Sequence, residues 1–407
     1  MFSLKQLNPF CTLVLILTAF CLSNCSENSE YGEASDYEKL GYSPSGSGII
    51  KGTVLDNASD ALSGVSVTFA KSGTTSSVVT TEDNGTYSKT SLSSGNYTLT
   101  YSKSGYLEMF QSVTLTADNE TLEVATVKQF PDTCASTGTI SGTIKDAVDS
   151  NVVVSDVSLS VRSGLNTTSG TIIKTATTDS SGNYSLSSMS AGWYTVETSK
   201  SGYITGYFNV YACGNQANQD ASISTSIDSG TMRIVLHWDN LTTNVVKILD
   251  SHLTGTDNLS GQGHTNNSTN RFHLYYNSIS GVDSFYYATN NFSCTSCSDT
   301  QKSDNVTLDN DDYDGAPGTE TITINKVRSG TYRYSVHDYS NRGLTAPDNL
   351  SKSGTTVKVY YNNTVTKYNV PNSAGSLWTV FTFDSSSGFT AVNGMSDQSS
   401  ASNIQYY

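Results

Sequence analysis

The chain is predicted to be all-β, with two small antiparallel β-sandwiches in tandem followed by a larger β-sandwich domain. Three observations carry that expectation. Apolar residues alternate singly with polar ones, as in Val65, Val67 and Phe69 or Tyr97, Leu99 and Tyr101, the period of a strand with one buried face. Asn84-Gly85 and Ser181-Gly182 supply positive-φ positions for tight turns between such runs. Only 14% of the 407 residues are charged and 36% are hydrophobic, and Ser, Thr, Asn, Gly and Tyr are abundant, which suits short strands and turns better than long helices. The net charge of −14 argues against nucleic acid as a partner and against broad attraction to anionic membranes.

Residues 1–24 read as a leader. Lys5 gives a weak positive start, and Cys11 to Cys21 is an apolar run too short to span a hydrocarbon core of about 30 Å as a helix. It ends in Leu22-Ser23-Asn24-Cys25, which resembles a bacterial lipobox of the looser spirochaete type. The resemblance implies cleavage before Cys25 and acylation of that residue, so that the lipid bilayer is a partner. An ordinary secretory signal cut at a nearby small residue is the alternative. Residues 25–47 are acidic, polar and Gly/Ser-bearing, cannot bury enough apolar surface to order themselves, and read as a disordered tether.

An internal repeat follows. Gly52-Thr-Val-Leu-Asp56 returns as Gly142-Thr-Ile-Lys-Asp146, and Leu62-Ser-Gly-Val65 as Val154-Ser-Asp-Val157. Gly85-Thr-Tyr87 returns as Gly182-Asn-Tyr184, Gly95-Asn-Tyr97 as Gly192-Trp-Tyr194, and Ser102-Lys-Ser-Gly-Tyr106 as Ser199-Lys-Ser-Gly-Tyr203. The second copy carries its extra residues near Arg162–Gly170, where a longer hairpin loop is expected. Over 48–128 and 137–224 this order of motifs resembles the carboxypeptidase regulatory-like domain. That resemblance implies a transthyretin-like sandwich serving as a non-catalytic accessory module, sometimes adhesive or carbohydrate-contacting. Cys134 and Cys213 flank the second copy. In an oxidising compartment they could pair and close a loop of about 80 residues, worth about 4–5 kcal/mol on the chain-entropy model; two unpaired thiols are the other reading.

From 230 to 393 the pattern changes to strands at Met232–Asp239, Lys247–Leu253, Phe272–Tyr276, Thr321–Ile324, Thr331–His337, Thr356–Tyr361 and Trp378–Phe383. The segments RIVLHWDN, LDSHLTG, FHLYY, LDNDDYDG, GTYRYSVHDYS and WTVFTFD resemble the YfaP-like domain of bacterial envelope proteins, a resemblance that implies architecture more than activity. Residues 394–407 are Ser- and Gln-rich and read as a flexible tail.

Asp309-Asn-Asp-Asp-Tyr-Asp-Gly315 is the sharpest chemical feature. Oxygen ligands at alternating positions followed by Gly suit a hard cation, so Asp309, Asp311, Asp312, Asp314 and Glu320 form a candidate calcium set. Glu320 falls one residue short of the EF-hand position and no helices flank the loop, which leaves a calcium-binding β-loop or a solvated acidic turn. Calcium is the only cofactor indicated. Asp250 and His252 share one strand face, and His273 and His337 also sit on predicted strands. They could build a transition-metal or catalytic cluster, against the blander reading of hydrogen-bonded core groups. Cys294 and Cys297 have redox-motif spacing without a βαβ frame and read as a local loop disulfide.

No His is followed three residues later by Glu, and neither a G-x-S-x-G elbow nor a phosphate-binding loop occurs. No catalytic residue is therefore assigned. The leading expectation is a lipid-anchored bacterial envelope protein, in the outer rather than the inner membrane, acting as a non-catalytic binding or structural stalk for a protein or glycan ligand. One alternative is carbohydrate recognition by exposed aromatics such as Trp193, Tyr97, Tyr106 or Tyr203. The other is an enzyme in which Asp250, His252 and His337 converge; a separation beyond about 10 Å would break hydrogen-bond reach and exclude it.

Overall fold

The computed structural model describes residues 46–134, 136–238, 248–256, 271–276, 284–313, 315–362 and 364–406. The leader, Cys25, nearly all of the tether and Asp314 lie outside this set. Residues 47–407 form one compact unit.

The fold is all-β. In the first module β1 (Gly48–Leu55), β2 (Ser66–Lys71), β3 (Ser77–Thr80), β4 (Thr86–Leu92), β5 (Gly95–Ser102), β6 (Met109–Leu115), β7 (Thr121–Glu123) and β8 (Val127–Lys128) make two sheets. Their orders are β3-β2-β5-β6 and β4-β1-β7, with β8 pairing β1. The second module repeats this with β9 (Thr137–Asp146), β10 (Ser158–Ser163), β11 (Lys174–Thr177), β12 (Asn183–Ser190), β13 (Gly192–Ser199), β14 (Gly206–Ala212) and β15 (Ala221–Ile223). Its orders are β11-β10-β13-β14 and β12-β9-β15, so the sequence repeat is a repeat of topology. Alternation does the sorting: Val67, Phe69, Leu99 and Tyr101 point inward from paired strands and are buried, while Thr68 and Thr98 point away. The turn glycines Gly85 and Gly182 sit at φ +76° and +71°, where a Cβ would meet the backbone carbonyls of Val54 and Ile144.

The C-terminal domain holds β16 (Met232–Trp238), β17 (Leu249–Thr256), β18 (Arg271–Leu274), β19 (Ser284–Tyr286), β20 (Asn305–Asn310), β21 (Gly318–Ile324), β22 (Thr331–Asp338), β23 (Thr356–Tyr361), β24 (Thr364–Asn369), β25 (Leu377–Asp384) and β26 (Gly388–Ser396). A six-stranded sheet, β19-β20-β21-β16-β23-β24, faces a five-stranded one, β18-β17-β22-β25-β26. Trp238, Tyr332, Tyr334, Trp378, Phe381 and Phe383 fill the space between them. A single helical turn, α1 (Asp299–Ser303), is started by a capping box between Ser298 and Gln301.

The chain end departs from the expected flexible tail. β26 runs to Ser396, a 3₁₀ turn follows at Ala401–Tyr406, and Ile404 is buried. The polar composition concealed this, because the segment is held by hydrogen bonds such as those between Gln398 and Ser376 and by one apolar side chain rather than by an apolar face.

The three domains interlock instead of forming a linear stalk. The connection 164–173 between β10 and β11, which holds the extra residues of the second copy, lies along β6 of the first module. Ser112 N donates to the Leu165 carbonyl and Leu165 N to that of Phe110, both at 2.8 Å. The Leu165 side chain enters the first module's core, a burial worth about 1.5–3 kcal/mol. Cys134 and Cys213 are bonded across the same junction, their Cα atoms 5.0 Å apart. The C-terminal domain meets the second module through Ala147, Val235 and Tyr360, and Lys358 Nζ donates to the Tyr207 carbonyl at 2.8 Å. It meets the first module where Asn369 Nδ2 donates to the Glu123 carbonyl at 3.1 Å.

Candidate functional site

Among the described residues two places concentrate chemistry: the outer face of the five-stranded sheet and the groove where all three domains meet.

The sheet face follows from register. Asp250 on β17 lies directly opposite His337 on β22, and His252 opposite Ser335. Period-two alternation sends Leu249, Ser251 and Leu253 into the core and places Asp250, His252 and His337 together on the other face. Each of these three residues offers a potential ligand atom, and the three atoms lie within 4.8 Å of one another. The alternative reading required that convergence. Yet Asp250, His252 and His337 are 2%, 1% and 0% exposed, so the face is not open to a substrate. The chain end covers it: the 3₁₀ turn packs on β17, and the Gln398 carbonyl accepts a hydrogen bond from His337 Nε2 at 2.8 Å.

A carbonyl oxygen can only accept, so His337 carries its proton on Nε2 and presents a bare lone pair at Nδ1. That Nδ1 is buried without a hydrogen-bond partner, as are His252 Nε2 and Asp250 Oδ2. His252 Nδ1 is 2.9 Å from His273 Nε2, and the rings of His252 and His273 stack against Tyr275 at 5.1 and 4.4 Å. His273 thus orients His252 from the neighbouring strand β18.

Burial dominates the electrostatics. It drives His252 well below the ordinary imidazole value, helped by His273 and His337, and brings His273 down to about 3. His337 is also lowered by burial, partly offset by the Gln398 carbonyl. The Asp250 carboxyl is pushed up to about 8, first by burial and then by the charge of Asp311, with Arg342 acting in the opposite direction. Beside it, where β18 no longer pairs with β17, Ser251 N donates to Glu320 Oε2 at 2.6 Å. Burial, Asp250 and Asp311 together raise the Glu320 carboxyl well above the usual range.

The candidate calcium set does not gather round one point among its described members. Asp309 lies with Arg233 and Thr323, on the face of the six-stranded sheet opposite Glu320, and burial raises its carboxyl to about 6. A bulge after Leu308 re-aims the chain, so that Asp311 hydrogen-bonds with Glu320 instead. Asp312 Oδ2 accepts from Thr319 N at 3.0 Å across the hairpin. The bulge separates what linear spacing placed together. Cys294 and Cys297 are bonded to each other in the loop before α1.

The proposed aromatic platforms are correspondingly withdrawn from solvent. Trp193 is buried at the junction of the first two modules, donates Nε1–H to the Lys128 carbonyl at 2.7 Å, and packs with Phe130 and Tyr211. Tyr97 is buried with its hydroxyl on the Ser93 carbonyl, and Tyr106 packs against the first core. The half-buried Tyr203 donates to Asp146 Oδ2 at 3.3 Å. In a small sandwich the aromatic body completes the core and only the polar tip reaches its rim.

The groove between domains is lined by polar and apolar side chains together. One cavity of about 610 Å³ is lined by Asn96 and Thr114 of the first module, Asn166 and Tyr207 of the second, and Lys358 and Lys367 of the third. A second, of about 350 Å³, opens beside it under Trp193 and Phe208.

Among the described residues no helix is long and apolar enough to cross a membrane. No curated protein sequence matches the chain. Solved structures with similarity include the Bacillus anthracis TIE protein, at 12% identity over 80% of this chain and 48% of that one, TM-score 0.20. Shaft pilin spaA from Lactobacillus rhamnosus GG matches at 15% identity over 44% of this chain and 98% of that one, TM-score 0.18. A putative carbohydrate binding protein from Pseudomonas aeruginosa matches at 11% identity over 22% and 90%, TM-score 0.17. The chain spans about half the length of the Bacillus anthracis protein, and likenesses this distant carry no function across. The family comparison is more specific: residues 49–128 and 139–224, the first and second modules, each match the carboxypeptidase regulatory-like domain.

Proposed function

We propose that this chain is a non-catalytic binding and structural protein of the bacterial cell envelope, in which acylated Cys25 and the tether to residue 47 present a block of three β-domains beyond the bilayer. The observation that supports this reading is the interlock. A loop of the second module plugs the core of the first, a disulfide spans the same junction, and the third domain hydrogen-bonds to both. Such cross-bracing suits a body that must hold a fixed surface under load or against proteases. The YfaP-like resemblance of 230–393 fits an envelope location. A protein or glycan ligand would meet the three-domain groove rather than Trp193.

Detergent phase partitioning and protease shaving of intact cells test the reading together. Expected are a fatty acid on Cys25, a chain in the detergent phase, and release of a resistant fragment beginning in the tether. A mature chain in the aqueous phase without acylation, or one shielded from protease in intact cells, would overturn it.

A further inference from the structure

We propose that Asp250, His252 and His337 bind one divalent transition-metal ion of the zinc class, held within the C-terminal domain beneath the chain end. The chemistry of the donors comes first. Two imidazole nitrogens and one carboxylate oxygen suit a borderline cation such as zinc, whereas calcium and magnesium take oxygen ligands. Geometry follows: the three residues come from facing positions on two paired strands, and their ligand atoms are within 4.8 Å of one another.

The polar accounting points the same way. Buried polar atoms are almost always hydrogen-bonded, and each orphan needs an explanation. Here three orphans, Asp250 Oδ2, His252 Nε2 and His337 Nδ1, belong to the same three residues. Their second nitrogens are engaged as a metal-ligating histidine requires. His337 Nε2–H donates to the Gln398 carbonyl, which leaves its Nδ1 lone pair free, and His252 Nδ1 lies against His273 Nε2, where the tautomer with the proton on His252 Nδ1 leaves Nε2 free for the ion. The groups facing the centre are His273 and Tyr275 from the β18 edge, Arg342 and Asp338 from β22 and the turn after it, and Glu320 and Asp311 from the β20–β21 hairpin. The burial makes this a folding-coupled site rather than an open catalytic one.

The test uses the full chain in detergent, stripped with a chelator and then reconstituted with zinc, cobalt(II), calcium or magnesium. Expected are one zinc per chain by elemental analysis, a cobalt absorption spectrum of nitrogen and oxygen coordination, and no competition from calcium or magnesium at comparable concentration. Asp250→Asn and His337→Gln should each lower zinc affinity at least tenfold in competition with a chromophoric chelator. The cobalt spectrum of the unsubstituted chain needs no variant, so a substitution that prevents folding does not blunt the test. A stripped and folded chain that binds neither zinc nor cobalt overturns the proposal, as does calcium displacing zinc, or zinc retained at full affinity by both variants.

Discussion

Leu165 belongs to the second module by sequence and to the core of the first by packing: its backbone pairs with Phe110 and Ser112 while its side chain is 2% exposed among the first module's apolar residues. The two modules are therefore one mechanical unit, and a change on one side is felt on the other.

Leu165→Ala is expected to destabilise the protein by about 2–5 kcal/mol, the range for deleting a buried leucine side chain. The loss should appear as an earlier denaturant midpoint for the two coupled modules together. A midpoint unchanged within error would show that the plug is only a surface contact.

Replacing Cys134 and Cys213 with serine removes a cross-link between residues 79 apart. On the chain-entropy model this costs about 4–5 kcal/mol. Equilibrium unfolding with and without reductant should show a loss in the parent chain that the double variant does not show.

Ending the chain after Ser396 should expose His337 and strip its hydrogen bond to Gln398. Losing that bond and the burial of Ile404 is expected to cost about 2–4 kcal/mol. Thermal melting reads the cost, and faster zinc loss to a chelator reads the uncovering of the sheet face.

In metal-free protein, stability should fall as pH rises from about 4.5. Glu320 is raised in the fold by burial and by Asp250 and Asp311, so the folded state binds its proton more tightly than the unfolded chain. Its contribution is fully present below the unfolded value and declines above it until the buried carboxyl ionises. Glu320→Gln can still accept from Ser251 N and carries no titrating proton. It should flatten the slope and gain stability at pH 8 relative to the parent chain, as followed by denaturant titration across pH.

Much of the architecture was legible without coordinates. The repeat, its turn glycines and its alternating runs specify two like sandwiches because strand periodicity and positive-φ demands are local. The strands missed in the C-terminal domain were β19, β20, β24 and β26. β24 and β26 lie at sheet edges with largely exposed side chains, so little alternation is imposed on them. The aromatic platforms were misjudged for the converse reason: sequence shows that Trp193 and Tyr97 are aromatic, not which neighbour covers them.

By itself, the order of residues determined that this is a β protein of repeated modules with a distinct third domain, since hydrophobic period, turn chemistry and composition act over a few residues at a time. Only the tertiary structure decided which distant groups meet. Strand register brought Asp250 and His337 face to face, a single bulge parted Asp309 from Asp311, and the packed chain end enclosed the histidines. Such contacts depend on pairing between segments far apart in sequence, where a shift of one residue would turn every side chain to the opposite face.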